Sequence, residues 1–237
     1  MYNITSFEYI DNHKHNTTLF LHGWGCNKTY MYPLAHNIKN SNCLLIDLPG
    51  FKDNNLFDKP KSFEEIAFII LEFVNKNNYK INYIVGHSFG GKLALFLSLY
   101  LKPKHLFLLS ASTFNKRRYL NYYLKVWFYK IIKHFKIFQQ ISIKLGSKDY
   151  KELTPIMKKT MSNVINYKMK KTLKQLSAPT TLIYGKNDKI TPLYIARKTR
   201  KILKDCNIIE INGDHFAYIN NCFYIVKIIE SVVLYNG

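Results

Sequence analysis

The amino-acid sequence predicts an α/β fold: a mostly parallel β-sheet with flanking helices on both faces and a helical cap. Short apolar runs rich in β-branched and aromatic residues alternate with longer segments whose apolar residues recur at helical spacing. The alternation is interrupted once, by a long stretch that favours helices alone. Hydrophobic residues fill 47% of the 237 positions, which is enough to bury the core of one α/β domain that carries an insertion.

Turns rich in glycine or aspartate follow several of the apolar runs that we predict to be strands. Only 21 residues precede His22, which leaves little room for further strands before the first of these runs. The predicted strands are Thr18–Leu21, Cys43–Ile46, Ile81–Val85, His105–Leu109, Thr180–Tyr184 and Asn207–Ile211.

Helical segments separate most of these strands, so the strands are expected to run parallel. Ser62 and Glu65 stand three residues apart and form a capping box at the start of the first helix. Pro103 ends the second helix, because proline cannot continue it. The predicted helices are Ser62–Val74, Gly90–Leu101, Pro192–Leu203 and Phe223–Leu234.

The insertion, residues 113–175, divides the chain into a helical cap and an α/β core made of residues 1–112 and 176–237. A helical insertion of this kind most simply covers the carboxyl ends of the strands, where open α/β sheets bind ligands. Apolar residues between Val126 and Phe138 are interleaved with lysines. Such a basic amphipathic helix can lie on anionic lipid. We favour the alternative, in which its apolar side roofs the pocket and its lysines face water.

The formal net charge of +20 would suit a nucleic acid or an anionic surface as partner. The basic residues are nearly all lysines, however, and they accompany abundant Asn, Ile, Tyr and Phe, as AT-rich codons would produce. No nucleic-acid-binding module is recognisable. We therefore expect no nucleic-acid partner.

Cysteine usage and the N-terminal residues bear on the cellular compartment. The four cysteines are scattered and form no C-x-x-C pair, so no zinc knuckle or redox motif is recognisable. Residues 1–16 are polar and lack the basic and then apolar pattern of a secretory signal. No apolar run approaches the roughly 20 residues of a membrane-spanning helix. These observations predict a cytoplasmic protein.

The run Gly86-His87-Ser88-Phe89-Gly90-Gly91 follows an apolar strand and opens a helix, and it fits the pattern G-x-S-x-G. A serine on such a sharp turn projects its hydroxyl above the sheet, and the glycines allow the close approach of strand and helix. This arrangement predicts Ser88 as a nucleophile. The same residues nearly match a phosphate-binding loop, but Leu93 replaces the hydroxyl residue that would hold magnesium.

A serine nucleophile needs a base, and the base needs an orienting acid. Asp188 and His215 each follow a predicted strand, on the same side of the sheet as Ser88 and in the chain order Ser, Asp, His. Asp214 is the rival of Asp188, and we assign it a structural role in the turn. His22 is expected to brace its own turn.

The oxyanion formed in acyl transfer needs two hydrogen-bond donors. The N–H of Phe89 lies at a helix N-terminus, where a negative charge is favoured. The second donor is expected from the turn after the first predicted strand, His22-Gly23-Trp24-Gly25. We predict that Trp24 supplies it from its backbone. His87 adjoins the nucleophile and is expected to be packed.

Taken together, these motifs resemble those of the α/β-hydrolase superfamily. The resemblance extends to Asp47-Leu48-Pro49-Gly50-Phe51, although Lys52-Asp53-Asn54 departs from the usual continuation of that turn. It implies an α/β-hydrolase fold and a serine mechanism with no metal and no cofactor. The chain looks similar to meta-cleavage-product hydrolases of the 2-hydroxy-6-oxohepta-2,4-dienoate type and to small carboxylesterases. His87 stands where the carbon–carbon hydrolases commonly carry Asn, which weakens the dienoate interpretation.

Several functional hypotheses follow. The first is a carboxylesterase acting on a small molecule, an ester or thioester with a small or medium apolar acyl part. The second is a hydrolase of the carbon–carbon bond in meta-cleavage products. The third is a hydrolase-like binding protein without catalysis, which the intact Ser88, Asp188 and His215 disfavour. A surface-active lipase is a fourth. Sequence alone leaves the substrate and the oligomeric state open.

Overall fold

The computed structural model describes residues 3–51, 57–115 and 153–236. Strands and helices alternate along these residues, as the sequence predicts. The strands are β1 (Phe7–Ile10), β2 (Thr17–Leu21), β3 (Asn42–Ile46), β4 (Ile81–His87), β5 (His105–Leu109), β6 (Thr180–Gly185) and β7 (Cys206–Ile211). The helices are α1 (Tyr32–Ala35), α2 (Phe63–Lys76), α3 (Phe89–Leu101), α4 (Pro155–Asn166), α5 (Lys170–Gln175), α6 (Leu193–Arg200), α7 (Ala217–Asn220) and α8 (Cys222–Tyr235), and a 3₁₀ turn covers Lys28–Met31.

The strands form one seven-stranded sheet in the order β1-β3-β2-β4-β5-β6-β7. From β3 to β7 all neighbouring strands are parallel. β4 and β5 lie near the middle, and their residues are almost all buried. The α/β-hydrolase fold class is therefore confirmed, and every predicted strand is present to within two residues.

The N-terminal strand was not expected from the sequence. β1 pairs antiparallel with Cys43–Ile46 of β3 and forms one edge of the sheet. Its residues are exposed or half-buried, so it lacks the continuous apolar run that marks the central strands. The ring of Phe7 packs edge-on against Phe73 of α2, 5.1 Å between ring centroids, which is a contact that only the folded chain creates.

Helices pack on both faces of the sheet and give two apolar layers. One layer buries α2 and α3, with Leu19, Leu44 and Ile84 from the sheet. The other buries α1 and α8 against alternate residues of the same strands, such as Phe20 and Leu45. Because successive side chains of a strand point to opposite faces, each central strand contributes to both layers. This packing fixes the carboxyl ends of the parallel strands along one edge.

Helix ends largely follow the predicted signals. Ser62 caps α2, and its capping box with Glu65 is complete. α3 ends at Leu101, and its C-cap residue, Lys102, adopts φ +47° immediately before Pro103. α6 is shorter than predicted and begins after Pro192, which serves as its N-cap residue. The short helices α1 and α7 were not predicted, because segments of four residues show no periodicity.

Two helices of the predicted cap, α4 and α5, lie within the described residues. α4 is held to the core by hydrogen bonds from the Lys61 N–H to Thr160 Oγ1 (3.1 Å) and from Asn163 Nδ2 to the Lys61 carbonyl (3.0 Å). Residues 116–152, including the amphipathic segment between Val126 and Phe138, lie outside the described residues. The division into core and cap at residues 113–175 therefore stays a prediction.

A buried lysine joins the same helix to α3. Lys92 is 3% exposed, and its Nζ donates to the Val164 carbonyl in the last turn of α4 at 2.6 Å. The ammonium also lies 5.4 Å from the ring centroid of Phe63. Burial lowers the pKa of Lys92 to about 8, because the charged form loses its hydration.

Among the described residues, no helix is long and apolar enough to cross a membrane.

Lys92→Met is expected to change how stability depends on pH. A lysine with a pKa of 10.5 when unfolded and about 8 when folded opposes folding while it is protonated. Between these values the unfolded chain binds more protons, so the free energy of unfolding of the native protein should rise by about 1.4 kcal/mol per pH unit relative to the variant. Urea unfolding at pH 7.5 and 9.5 measures this difference.

The exposed Lys171 of α5 offers a matched control. Lys171→Met should follow the native protein at both pH values. A constant difference between the native protein and Lys92→Met would contradict the assignment of this pH dependence to Lys92.

Candidate active site

Ser88 stands at the junction of β4 and α3 in an unusual backbone conformation. Its φ of +51° and ψ of −109° are rarely adopted by a residue with a Cβ. The Ser88 N–H donates to the carbonyl of Leu109 at 2.9 Å, and the Ser88 carbonyl accepts from the Ser112 N–H at 3.1 Å. The end of β5 and the segment that follows it therefore hold the backbone of Ser88 on both sides. This is the sharp strand-to-helix turn that the G-x-S-x-G pattern predicts.

The turn after β2 lies directly against this serine. A Cβ added to Gly90 would lie 2.2 Å from the carbonyl oxygen of Leu21, so only glycine permits the approach of α3 to the end of β2. A Cβ added to Gly23 would lie 3.5 Å from the Cβ of Ser88. The ring centroids of Trp24 and Phe89 are 5.3 Å apart. The residues predicted to supply the two oxyanion donors therefore adjoin each other beside Ser88.

His22 braces this turn, as expected. Its Nδ1–H donates to the carbonyl of Gly23 at 2.8 Å, and its Nε2 accepts from the N–H of Leu48 at 2.9 Å. The residue is fully buried, and burial lowers its pKa to about 4 despite the nearby carboxylate of Asp47. A neutral imidazole thus ties the turn after β2 to the turn after β3.

An ion pair anchors the continuation of this turn. The Nζ of Lys28 lies 3.0 Å from Asp47 Oδ2. The backbone N–H of Lys28 donates to Oδ1 of the same carboxylate at 2.6 Å. The carboxylate also accepts from Ser6 Oγ at 2.6 Å. Burial acts to raise the pKa of Asp47, but these hydrogen bonds outweigh it and lower the pKa. The 3₁₀ turn that begins at Lys28 is thereby fixed to the end of β3.

His215 and Asp188 form a buried pair at the carboxyl ends of β7 and β6. The distance from His215 Nδ1 to Asp188 Oδ2 is 2.8 Å, and both residues are at most 6% exposed. Burial tends to raise the pKa of Asp188, yet hydrogen bonds with His215 and Thr191 lower it to about 2. The carboxylate can only accept, so His215 Nδ1 carries the proton and Nε2 is left as the basic nitrogen.

Close contact between the two loops depends on Gly185. A Cβ at this position would lie 2.2 Å from the carbonyl oxygen of Asp214. Asp214 itself accepts a hydrogen bond from the N–H of Phe216 through Oδ1 at 2.9 Å, and the residue is exposed. The side chain of Asp214 thus caps its own turn, as expected. The structure places Asp188, and not Asp214, against the imidazole.

Ser88 and His215 occupy adjoining turns that His87 connects. His87 is 1% exposed, its Nε2–H donates to the carbonyl of His215 at 3.0 Å, and the two ring centroids are 4.8 Å apart. Among the described residues no hydrogen bond joins Ser88 Oγ to His215. Catalytic hydrogen bonds are often long before substrate binds and tighten in the complex.

His87 is buried as a neutral ring. Burial, followed by the proximity of His215, lowers its pKa to about 3. Its Nδ1 has no hydrogen-bond partner within the described part of the chain, and it faces Gly23, where an added Cβ would lie 2.9 Å away. His87 is thus packed, as expected, and its ring fills the space between the loop of His215 and the turn after β2.

Thr191 belongs to this site and was not identified from the sequence. Its Oγ1 lies 2.7 Å from Asp188 Oδ2 and 3.1 Å from His215 Nδ1. The available signal is the spacing Asp-x-x-Thr immediately before a proline, because an Asp at a turn commonly accepts from backbone N–H groups two and three residues later. The N–H groups of Ile190 and Thr191 do donate to Asp188 Oδ1, at 2.8 and 2.9 Å.

Comparisons with known proteins show the family of the chain and its fold. The model of the alpha/beta hydrolase family matches residues 18–221. The chain is 29% identical over 244 residues to the pimeloyl-(acyl-carrier protein) methyl ester esterase of Wigglesworthia glossinidia brevipalpis, with 91% of this chain and 92% of that protein covered.

Solved structures show the same architecture. A lipase-esterase related protein from Clostridium acetobutylicum has a TM-score of 0.73 at 19% identity, covering 97% of this chain and 99% of that one. An esterase from Exiguobacterium antarcticum has a TM-score of 0.73 at 16% identity, covering 96% and 94%. At these identities the likeness establishes the shared fold.

The buried neutral histidines predict a loss of stability in mild acid. His22 and His87 have a pKa of 6.5 when unfolded and of about 4 and about 3 when folded. Below pH 6.5 the unfolded chain takes up these protons first, so the free energy of unfolding should fall by about 1.4 kcal/mol per pH unit for each histidine. Urea unfolding at pH 7.0, 6.0 and 5.0 measures the slope.

His87→Asn should remove the contribution of His87 and leave a shallower slope, while His22 and the similarly shifted His105 still contribute. His13, whose side chain is 91% exposed, provides the control, and His13→Asn should retain the native slope. Equal slopes in the native protein and His87→Asn would show that His87 is not buried as a neutral ring.

Proposed function

The chain belongs to the alpha/beta hydrolase family, and from that premise we propose that it is a carboxylesterase that hydrolyses small or medium acyl esters or thioesters through Ser88, His215 and Asp188. The observation that carries the proposal is the strained backbone of Ser88, at φ +51°, on the same edge of the sheet as the buried pair of His215 and Asp188. Strain of this kind persists where the surrounding structure enforces it, typically at functional sites.

The proposed reaction is acyl transfer to water. His215 Nε2 takes the proton of the Ser88 hydroxyl while Ser88 Oγ attacks the ester carbonyl carbon. The oxyanion is stabilised by the N–H groups of Phe89 and Trp24. The imidazolium then protonates the leaving alcohol or thiol, and the acyl-enzyme remains. His215 next removes a proton from water, which attacks the acyl carbon; the bond to Ser88 Oγ then breaks, the imidazolium returns the proton to Ser88 Oγ, and the acid is released.

Asp188 keeps His215 in the reactive tautomer. Its carboxylate accepts the Nδ1 proton at 2.8 Å and leaves Nε2 free to act as base. The low pKa of Asp188, about 2, means that the carboxylate remains ionised throughout the pH range in which an esterase works. The reaction as proposed needs neither a metal nor a cofactor.

Aromatic rings beside the nucleophile favour an apolar acyl part. Trp24 packs edge-on against Phe51 and Phe89, with ring centroids 4.8 and 5.3 Å away. The predicted cap, residues 113–175, would roof this apolar side.

The relative from Wigglesworthia acts on a methyl ester carried by an acyl-carrier protein, so methyl esters of free or carrier-bound acyl chains are candidate substrates. None of the four cysteines, all of which lie within the described residues, forms a disulfide, and this supports a cytoplasmic location.

Ser88→Ala is expected to abolish turnover. The variant lacks the attacking oxygen, and removing one member of such a triad lowers kcat by on the order of 10⁴ or more. Hydrolysis of p-nitrophenyl esters of increasing chain length measures turnover and pocket size, and a fluorophosphonate probe measures the reactivity of the serine. Ser98→Ala, which replaces a buried serine farther along α3, should keep both properties.

Near-native hydrolysis by Ser88→Ala would refute the mechanism. An absence of labelling in the native protein would favour a hydrolase-like binding protein. Hydrolysis of a meta-cleavage product, seen as loss of its yellow dienolate, with no ester turnover would favour the carbon–carbon hydrolase.

Asp188→Asn and Asp214→Asn separate the two candidate acids. Asparagine at position 188 would donate to the imidazole and favour the wrong tautomer, so kcat should fall by on the order of 10⁴. Asp214→Asn keeps the oxygen that accepts from Phe216 and should stay within about threefold of native kcat. The measurement is kcat on the best ester of the series. A larger loss in Asp214→Asn would reassign the acid.

A further inference from the structure

Thr191 places a hydroxyl at the centre of the acid–base pair. The residue is 3% exposed and lies between Asp188 and α6. Its Oγ1 is 2.7 Å from Asp188 Oδ2, 3.1 Å from His215 Nδ1 and 3.0 Å from the carbonyl of Ser110. Three polar groups from three different loops therefore converge on one hydroxyl.

The chemistry of these groups fixes where the hydroxyl proton lies. A threonine hydroxyl has one proton, and two acceptors compete for it: the ionised carboxylate of Asp188 and the carbonyl of Ser110. Two oxygens 2.7 Å apart repel each other unless a proton lies between them, and a carboxylate is the stronger acceptor. The hydroxyl of Thr191 therefore donates to Asp188 Oδ2. The Ser110 carbonyl, at 3.0 Å, shares this one proton as the weaker acceptor.

With this bond, the carboxylate of Asp188 accepts from four donors. Oδ1 accepts from the N–H groups of Ile190 and Thr191, and Oδ2 accepts from the Thr191 hydroxyl and from His215 Nδ1–H. A carboxylate offers about four lone-pair positions, so the set is complete. The carboxylate of Asp188 cannot rotate without losing some of these four hydrogen bonds.

The hydroxyl also connects the acid to the strand that holds the nucleophile. Ser110 follows β5 with φ +46°, and the residue before it, Leu109, accepts the N–H of Ser88 at 2.9 Å. Ser112 donates to the carbonyl of Ser88. A single side chain thus ties the loop of Asp188 to the segment that fixes Ser88.

We propose that Thr191 is a positioning residue, whose hydroxyl fixes Oδ2 of Asp188 in line with His215 Nδ1 and sets the distance between the acid–base pair and Ser88. This inference rests on the proposed esterase function. It assigns Thr191 no contact with substrate. Its effect is on kcat, because a correctly oriented imidazole is needed in the transition state and not for binding.

Thr191→Val and Thr191→Ser test the proposal. Valine keeps the shape and the backbone donor to Asp188 but lacks the hydroxyl, so kcat for the best ester should fall about ten- to a hundredfold while KM stays within about twofold. Serine restores the hydroxyl and should return kcat to within about threefold of native. Thr199→Val is the matched control, since Thr199 is fully buried and its hydroxyl donates to the Ile195 carbonyl in α6.

A cycle with Asp188→Asn shows whether Thr191 acts through the acid. If it does, Thr191→Val should cost no more than about twofold in the Asp188→Asn background, because the carboxylate it orients is absent. The rate of labelling of Ser88 by a fluorophosphonate is sensitive enough for the slow variants. A thermal unfolding curve of each variant separates loss of kcat from loss of fold.

The outcomes of these experiments decide whether Thr191 positions Asp188. A loss in Thr191→Val that serine rescues and that disappears in the Asp188→Asn background supports the proposal. Native kcat in Thr191→Val, or an equal loss in both backgrounds, overturns it. A native protein that is not labelled at all would instead defeat the proposed esterase function, and the two failures are thereby distinguished.

Discussion

Ser88 holds φ +51° and ψ −109°, a backbone conformation that costs a residue with a Cβ on the order of 1–3 kcal/mol. Such a conformation persists only when the surrounding structure determines it. Here Leu109, at the end of β5, binds the Ser88 N–H, Ser112 binds the Ser88 carbonyl, and Gly90 lets α3 approach the end of β2. The strain would be relieved by moving either contact, so the sheet, the first turn of α3 and the turn after β2 are coupled through one residue.

A closed series of contacts extends this coupling to the acid and the base. His87 precedes Ser88 in the chain and binds the carbonyl of His215. His215 binds Asp188, and Asp188 accepts from Thr191. Thr191 reaches the carbonyl of Ser110, at the end of the strand that returns to Ser88. Because the series is closed, the positions of acid, base and nucleophile depend on one another and not on any single loop.

The sequence predicted the parts of this molecule that local pattern determines. Continuous apolar runs marked the buried strands, and the glycines around Ser88 marked the turn. β1 was missed because Phe7 and its neighbours lie on an exposed edge, where pairing and not apolar pattern defines the strand. Thr191 was missed for a related reason: its hydroxyl matters only because Ser110 and His215 meet it in the folded chain. The extent of the cap stays a prediction, because residues 116–152 lie outside the described part.

The distribution of charge within the site follows from burial. The chain has a net charge of +20, yet the two histidines packed around Ser88, His22 and His87, are held neutral because their charged forms lose hydration. Asp188 stays ionised because four hydrogen bonds outweigh the same loss. In the proposed mechanism, the imidazolium formed on His215 therefore meets one carboxylate and no competing positive charge from either histidine. Neutral buried rings brace the loops without weakening the interaction on which the proton transfer depends.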